Sequence, residues 1–225
     1  MELFENSCMV GDFGYWDDKK TPRSMDSFIS ADSKHLYLSH DLMDLMDQLD
    51  KNTYHRVEVL RFETDLIHRL PENILELGFE NLKYLSVSGS RFWDFDMRQV
   101  PENVQTLVLV DQANLQDTCI RGMERLNNLR ELRISMEPFD FSDIFNRQVH
   151  MKHHHYKMVT MPLIPRLRHI YFHTGVGYRK EDLVTGWKRI FKSNQLFTQI
   201  KQHITQIELI DNGDVFPVIH VMLNY

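Results

Sequence analysis

The sequence predicts an α/β repeat fold: a curved parallel sheet with helices and loops on its convex side and a hairpin at the C-terminus. A short pattern, apolar-x-x-apolar-x-apolar, recurs six times, at Val57/Leu60/Phe62, Leu82/Leu85/Val87, Val104/Leu107/Leu109, Leu129/Leu132/Ile134, Leu167/Ile170/Phe172 and Ile204/Ile207/Leu209. Its copies begin 25, 22, 25, 38 and 37 residues apart. Beyond the last copy, Asp211-Asn212-Gly213-Asp214 separates two apolar runs, and Asn-Gly is a strong hairpin signal.

The chain has 225 residues, 42% hydrophobic, enough for one compact domain or one elongated array with a continuous core. No uninterrupted apolar stretch approaches the roughly 18 residues of a membrane span, so no membrane partner is expected. Met1-Glu2-Leu3-Phe4-Glu5-Asn6 is acidic where a secretory signal would be basic. Cys8 and Cys119 alone make no disulfide framework and read as reduced thiols. The expected location is intracellular, cytoplasmic or nuclear. The net charge of −6 tends to repel nucleic acid.

Within each copy, the second and third apolar positions alternate as in a short strand, and the first packs the bend leading into it. One unit buries its apolar face only by stacking on the next. Leu36/Leu38 reads as a degenerate copy ahead of the six. The resulting division is an N-terminal cap or arm at 1–32, the repeats at 33–210 with an insertion at about 138–163, and a C-terminal cap strand at 211–225.

Leu82-Lys83-Tyr84-Leu85-Ser86-Val87 and Leu129-Arg130-Glu131-Leu132-Arg133-Ile134 place apolar residues as in L-x-x-L-x-L-x-x-N, and so the chain resembles the leucine-rich-repeat family over roughly residues 55–210. The resemblance implies a short solenoid that binds another macromolecule on its concave strand face. The match is close in the first four units and looser in the last two. The family's ladder asparagine falls on Asp65, Ser90, Gln112, Glu137, Gly175 and Asn212, so that ladder is expected to be interrupted at Gly175.

Among the connections, Asp41 to Lys51 sets Leu42, Leu45, Met46 and Leu49 on one helical stripe. Leu70-Pro71-Glu72-Asn73-Ile74 and Val100-Pro101-Glu102-Asn103-Val104 suit extended convex segments, because proline fixes φ and removes a donor. A helix is expected from Ser142 or Asp143 to about Tyr156, and another over Glu181–Gln202 carrying Leu183, Trp187, Ile190, Phe191, Phe197 and Ile200. Pro217 predicts that the final strand lies at a sheet edge.

Catalysis and cofactors are not indicated: no glycine-rich phosphate loop, nucleophile elbow, C-x-x-C pair or H-E-x-x-H sequence is present. Asp94 and Asp96 have the spacing of an ordinary polar loop. His150, His153 and His154 would share a helical face and form the one metal candidate, but they lack a Cys, Asp or Glu to complete a site.

If the pattern's apolar residues point inward, the intervening ones form outward columns on the concave surface: Val59/Arg61/Glu63, Tyr84/Ser86/Ser88, Thr106/Val108/Val110, Glu131/Arg133/Ser135, His169/Tyr171/His173 and Gln206/Glu208/Ile210. Arg61, Tyr84, Val108, Val110, Glu131, Arg133, His169, Tyr171, His173 and Glu208 are the expected contacts, with Val108 and Val110 as an apolar centre inside a polar rim. Tyr and Arg are enriched at binding hot spots, so another protein is the expected partner and the chain reads as a scaffold or adaptor. A structural subunit docking through residues 1–30 and convex helices is the alternative, and a His-cluster metal regulator a more distant one.

Overall fold

The computed structural model describes residues 34–38, 51–63, 78–88, 97–110, 122–135, 160–173, 180–193, 197–210 and 218–225. They form an α/β fold on one eight-stranded mixed sheet. Six strands run parallel in chain order: β1 (His35–Leu38), β2 (Val59–Glu63), β3 (Tyr84–Ser88), β4 (Thr106–Val110), β5 (Glu131–Ser135) and β6 (His169–His173). An antiparallel pair, β7 (Ile204–Ile210) and β8 (Val218–Leu223), completes the sheet.

The register follows the sequence pattern. Leu60, Leu85, Leu107, Leu132 and Ile170 stand side by side, flanked by Leu36 and Val221, and all are buried. Val87, Leu109, Ile134, Phe172 and Ile219 form a second buried row two residues along. The first apolar position of each unit is buried as well, at Val57, Leu82, Val104, Leu129 and Leu167. Each fully buried aliphatic side chain is worth about 1.5–3 kcal/mol of transfer free energy, so these rows dominate the core.

The bend before each strand repeats with the same hydrogen bonds. The amides of Val57, Leu82, Val104, Leu129 and Leu167 each donate to the carbonyl three residues earlier, at 3.0–3.3 Å. The carbonyls of Lys34, Glu58, Lys83, Gln105 and Arg130 then each accept two amides from the next strand's start, at 2.8–3.1 Å. Side-chain amides bridge successive bends: Asn81 Nδ2 donates to the His55 carbonyl (2.6 Å), Asn103 Nδ2 to that of Glu80 (2.7 Å) and Asn128 Nδ2 to that of Glu102 (3.1 Å). Arg166 Nη1 continues the line to Asn128 Oδ1 (2.8 Å). These positions immediately precede each unit's first apolar residue. The positions expected for the ladder, Asp65 through Asn212, lie outside the described residues.

Helix α1 (Lys51–Arg56) leads into β2, and α2 (Lys180–Ser193) packs against β7 and β8. In α2, Leu183, Trp187, Ile190 and Phe191 recur at helical spacing and are buried. Their anchor is Phe172, whose ring centroid lies 4.4 Å from that of Trp187 and 5.8 Å from that of Phe191. The helix ends at Ser193, short of the expected Gln202. Backbone bonds from Ile200 to Phe197 and from His203 to Ile200 tighten the chain into turns, which still deliver Phe197 and Ile200 to the core.

Two further expectations are corrected at the C-terminus. The sixth copy, Ile204/Ile207/Leu209, is not another parallel strand: β7 is antiparallel to β8 and forms the sheet edge. The final strand is interior, between β6 and β7, although Pro217 suggested an edge. Pro217 precedes β8, so its missing N–H removes no bond from within the strand. Val218, Ile219, His220 and Val221 are all buried, as an interior strand requires.

Residues 1–33, the stripe from Leu42 to Leu49, the proline segment Leu70–Ile74 and the expected helix near Ser142–Tyr156 lie outside the described residues. No helix among the described residues is long and apolar enough to cross a membrane.

Candidate functional site

Strand alternation places the outward columns in register across the sheet. One row runs Val59, Tyr84, Thr106, Glu131, His169 and Met222; the next runs Arg61, Ser86, Val108, Arg133, Tyr171, His220 and Glu208. Eight of the ten expected contact residues can be placed by side chain. Val110 and His173 are in register at strand ends, with side chains outside the described set. His150, His153, His154, Asp94 and Asp96 also lie outside it.

The structure corrects one half of the expected apolar centre, Val108. Val108 is only 2% exposed and Thr106 is 9% exposed, so these two β4 side chains offer a partner almost no surface. The accessible features lie to either side. On β2 and β3, the Arg61 guanidinium lies 5.5 Å from the Tyr84 ring centroid. On β5 and β6, Arg133 lies 4.9 Å from that of Tyr171 and its Nε bonds Glu131. Cation–π contacts of this kind contribute about 0.5–1 kcal/mol at exposed sites and keep the guanidinium close to the ring.

The second cluster extends onto β8 and β7 through a residue the sequence pattern did not single out. His220 stacks on Tyr171 with 4.4 Å between centroids and 4° between planes, giving a layered Arg133–Tyr171–His220 arrangement. Its Nδ1 lies 2.8 Å from Glu208 Oε1, and its Nε2 lies 3.0 Å from His169 Nδ1. Gln206 Nε2 donates to the other Glu208 oxygen at 2.7 Å. Only the β6–β8 register makes His220 a neighbour of Tyr171, so periodicity in the first five units carried no signal for it.

A Glu208 carboxylate can only accept, so His220 donates to it from Nδ1, and one proton is shared between His220 Nε2 and His169 Nδ1. Burial pushes the His169 imidazole below its ordinary value of 6.5; His220 and, more weakly, Arg168 add to this, while Glu131 opposes it. This direction favours the neutral form of His169 near pH 7.

Among the described residues, no group of three or more His, Cys, Asp or Glu is arranged to hold a metal ion. His169, His220 and Glu208 direct their polar atoms at one another. The arrangement leaves Arg133, His169, Tyr171 and Glu208 partly exposed over a buried His220. No family model, curated protein or solved structure matches the chain.

Proposed function

We propose that this chain is a leucine-rich-repeat solenoid acting as a non-catalytic intracellular scaffold or adaptor, cytoplasmic or nuclear, that binds another protein on its outward strand face. The observation that carries the reading is the partly exposed pair Arg133–Tyr171 on adjacent strands, which buried His220 and its partner Glu208 brace before any partner protein arrives. Side chains already fixed in one geometry lose little entropy on binding, and Tyr and Arg are the residue types that anchor interfaces. The repeat reading is supported by the fivefold recurrence of the bend, by the three bridging amides of Asn81, Asn103 and Asn128, and by the parallel order of β1 to β6.

The test is quantitative affinity capture from cells with three full-length proteins: wild type, a Tyr84→Ala/Arg133→Glu/Tyr171→Ala variant, and a Lys188→Glu/Lys192→Glu control on α2, each first shown to fold. Partners lost by the triple variant and kept by the control support the reading. Identical partner sets for wild type and the triple variant overturn it.

A further inference from the structure

The N-terminal ends of the strands carry a second surface. The residues preceding the strands form a line across the sheet, Lys34, Glu58, Lys83, Gln105, Arg130 and Arg168, joined by the shared carbonyls. In its first half charge is matched: Glu58 lies 2.5 Å from Lys34 and 2.7 Å from Lys83, and Glu102 lies 3.1 Å from Arg125. In its second half it is not. No carboxylate among the described residues pairs with Arg130, Arg166, Arg168 or Lys201. Glu131 adjoins Arg130 in sequence, but it lies on the sheet face and bonds Arg133.

Two of these cations are aimed by neutral acceptors. Arg166 Nη1 donates to Asn128 Oδ1 at 2.8 Å, and Arg168 Nη1 donates to the carbonyls of Pro165 (2.9 Å) and Leu167 (3.1 Å). Amide and carbonyl oxygens orient a guanidinium without cancelling its charge, and so leave it ready for a carboxylate. Arg130, Arg166 and Lys201 are exposed.

Apolar surface meets this charge. Leu163 and Tyr225 are the exposed large hydrophobic residues among those described, at 42% and 37%. The Tyr225 ring lies 5.5 Å from the Arg168 guanidinium and 4.7 Å from the His203 ring, and its hydroxyl meets the Ile164 backbone beside Leu163. Cations and apolar anchors thus share one end of β5, β6 and β8.

We propose that this end is a docking site for an acidic peptide segment carrying an apolar anchor, distinct from the sheet-face site. The cations take its carboxylates, and Leu163 and Tyr225 take its apolar side chain. A bare polyanion would use the charge but leave the exposed apolar pair, Leu163 and Tyr225, unmatched.

Fluorescence anisotropy with full-length protein tests this. The probe is a labelled peptide of Asp and Glu around one Leu and one Phe; the comparisons are the same peptide with both apolar residues replaced by Ser, and a labelled single-stranded oligonucleotide. Wild type is expected to bind the first probe best, with affinity falling as salt rises from about 0.05 to about 0.5 M. Arg130→Glu/Lys201→Glu should weaken it by about tenfold or more. Among the described residues those side chains have no hydrogen-bond partner, and both are exposed, so circular dichroism and melting should match wild type. Leu163→Ser should erase the preference for the Leu/Phe peptide, and Lys188→Glu/Lys192→Glu should leave affinity unchanged. Absent peptide binding, an equal loss in the α2 control, or tighter binding of the oligonucleotide overturns the proposal.

Discussion

The Tyr171 phenol and the His220 imidazole lie face to face, 4.4 Å apart and within 4° of parallel, on two antiparallel strands. His220 thereby acts as a hinge point: one nitrogen faces Glu208, the other His169, and its face covers Tyr171. His220→Ala should therefore raise the His169 pKa, because it removes a neighbour that holds the imidazole low and opens the site to water. The His169 Cε1–H NMR shift against pH reads this directly; an unchanged midpoint would show that the two rings are uncoupled.

Stability should fall in two separate acid windows. For His169, whose folded pKa lies below 6.5, the unfolded chain binds the proton more readily, so stability is full above 6.5 and is lost as pH falls toward the folded value. Glu58, held below 4.5 by hydrogen bonds from Lys34 and Lys83, contributes stability above 4.5 that is lost as pH falls toward its folded value. In urea titrations across pH, His169→Gln should flatten the first window and Glu58→Gln the second. The Glu58 effect should stay below about 1 kcal/mol, since both lysines are largely exposed.

Asn103 should behave as a donor. Its Nδ2 reaches the Glu80 carbonyl at 2.7 Å and the Phe79 carbonyl at 3.4 Å. Asn103→Ala is expected to cost about 1 kcal/mol. Asn103→Asp, nearly identical in shape, should cost at least as much, because a carboxylate facing two carbonyls has nothing to donate. A fully tolerated Asp in chemical denaturation would refute the bridging role.

Gly122 and Gly78 should respond unequally to alanine. Both have positive φ, 92° and 103°, which strains any L side chain. A Cβ at Gly122 would also meet Arg98 Cγ at 2.8 Å and the Arg98 backbone nitrogen at 3.0 Å, whereas at Gly78 the nearest atom is in the His55 ring at 3.4 Å. Gly78→Ala should cost about 1 kcal/mol and Gly122→Ala distinctly more, by roughly 1–3 kcal/mol further. Thermal melts of the two variants give the comparison.

Much of the sheet was legible in the chain because an apolar residue at every second position declares which face is buried, whatever its neighbours are. That is why Leu60, Leu85, Leu107, Leu132 and Ile170 align as the pattern implied, and why Arg61, Arg133 and Tyr171 share the opposite face. The bridging amides stand in the chain too, as Asn81, Asn103 and Asn128 directly before an apolar residue, whereas the family's ladder position falls after each strand.

Periodicity says which way a side chain points, not what lies above it, so it gave Val108 a place on the outward face without revealing that it is buried there. Local pattern alone determined the strands, their faces and the bends that join them. Tertiary structure decided where the last two strands go: β8, buried on both faces, gains more apolar burial between β6 and β7 than at an edge, while exposed Thr205 and Gln206 suit β7 to the rim. That exchange, made by contacts far apart in sequence, brings His220 beneath Tyr171 and completes the chain from Glu208 to His169.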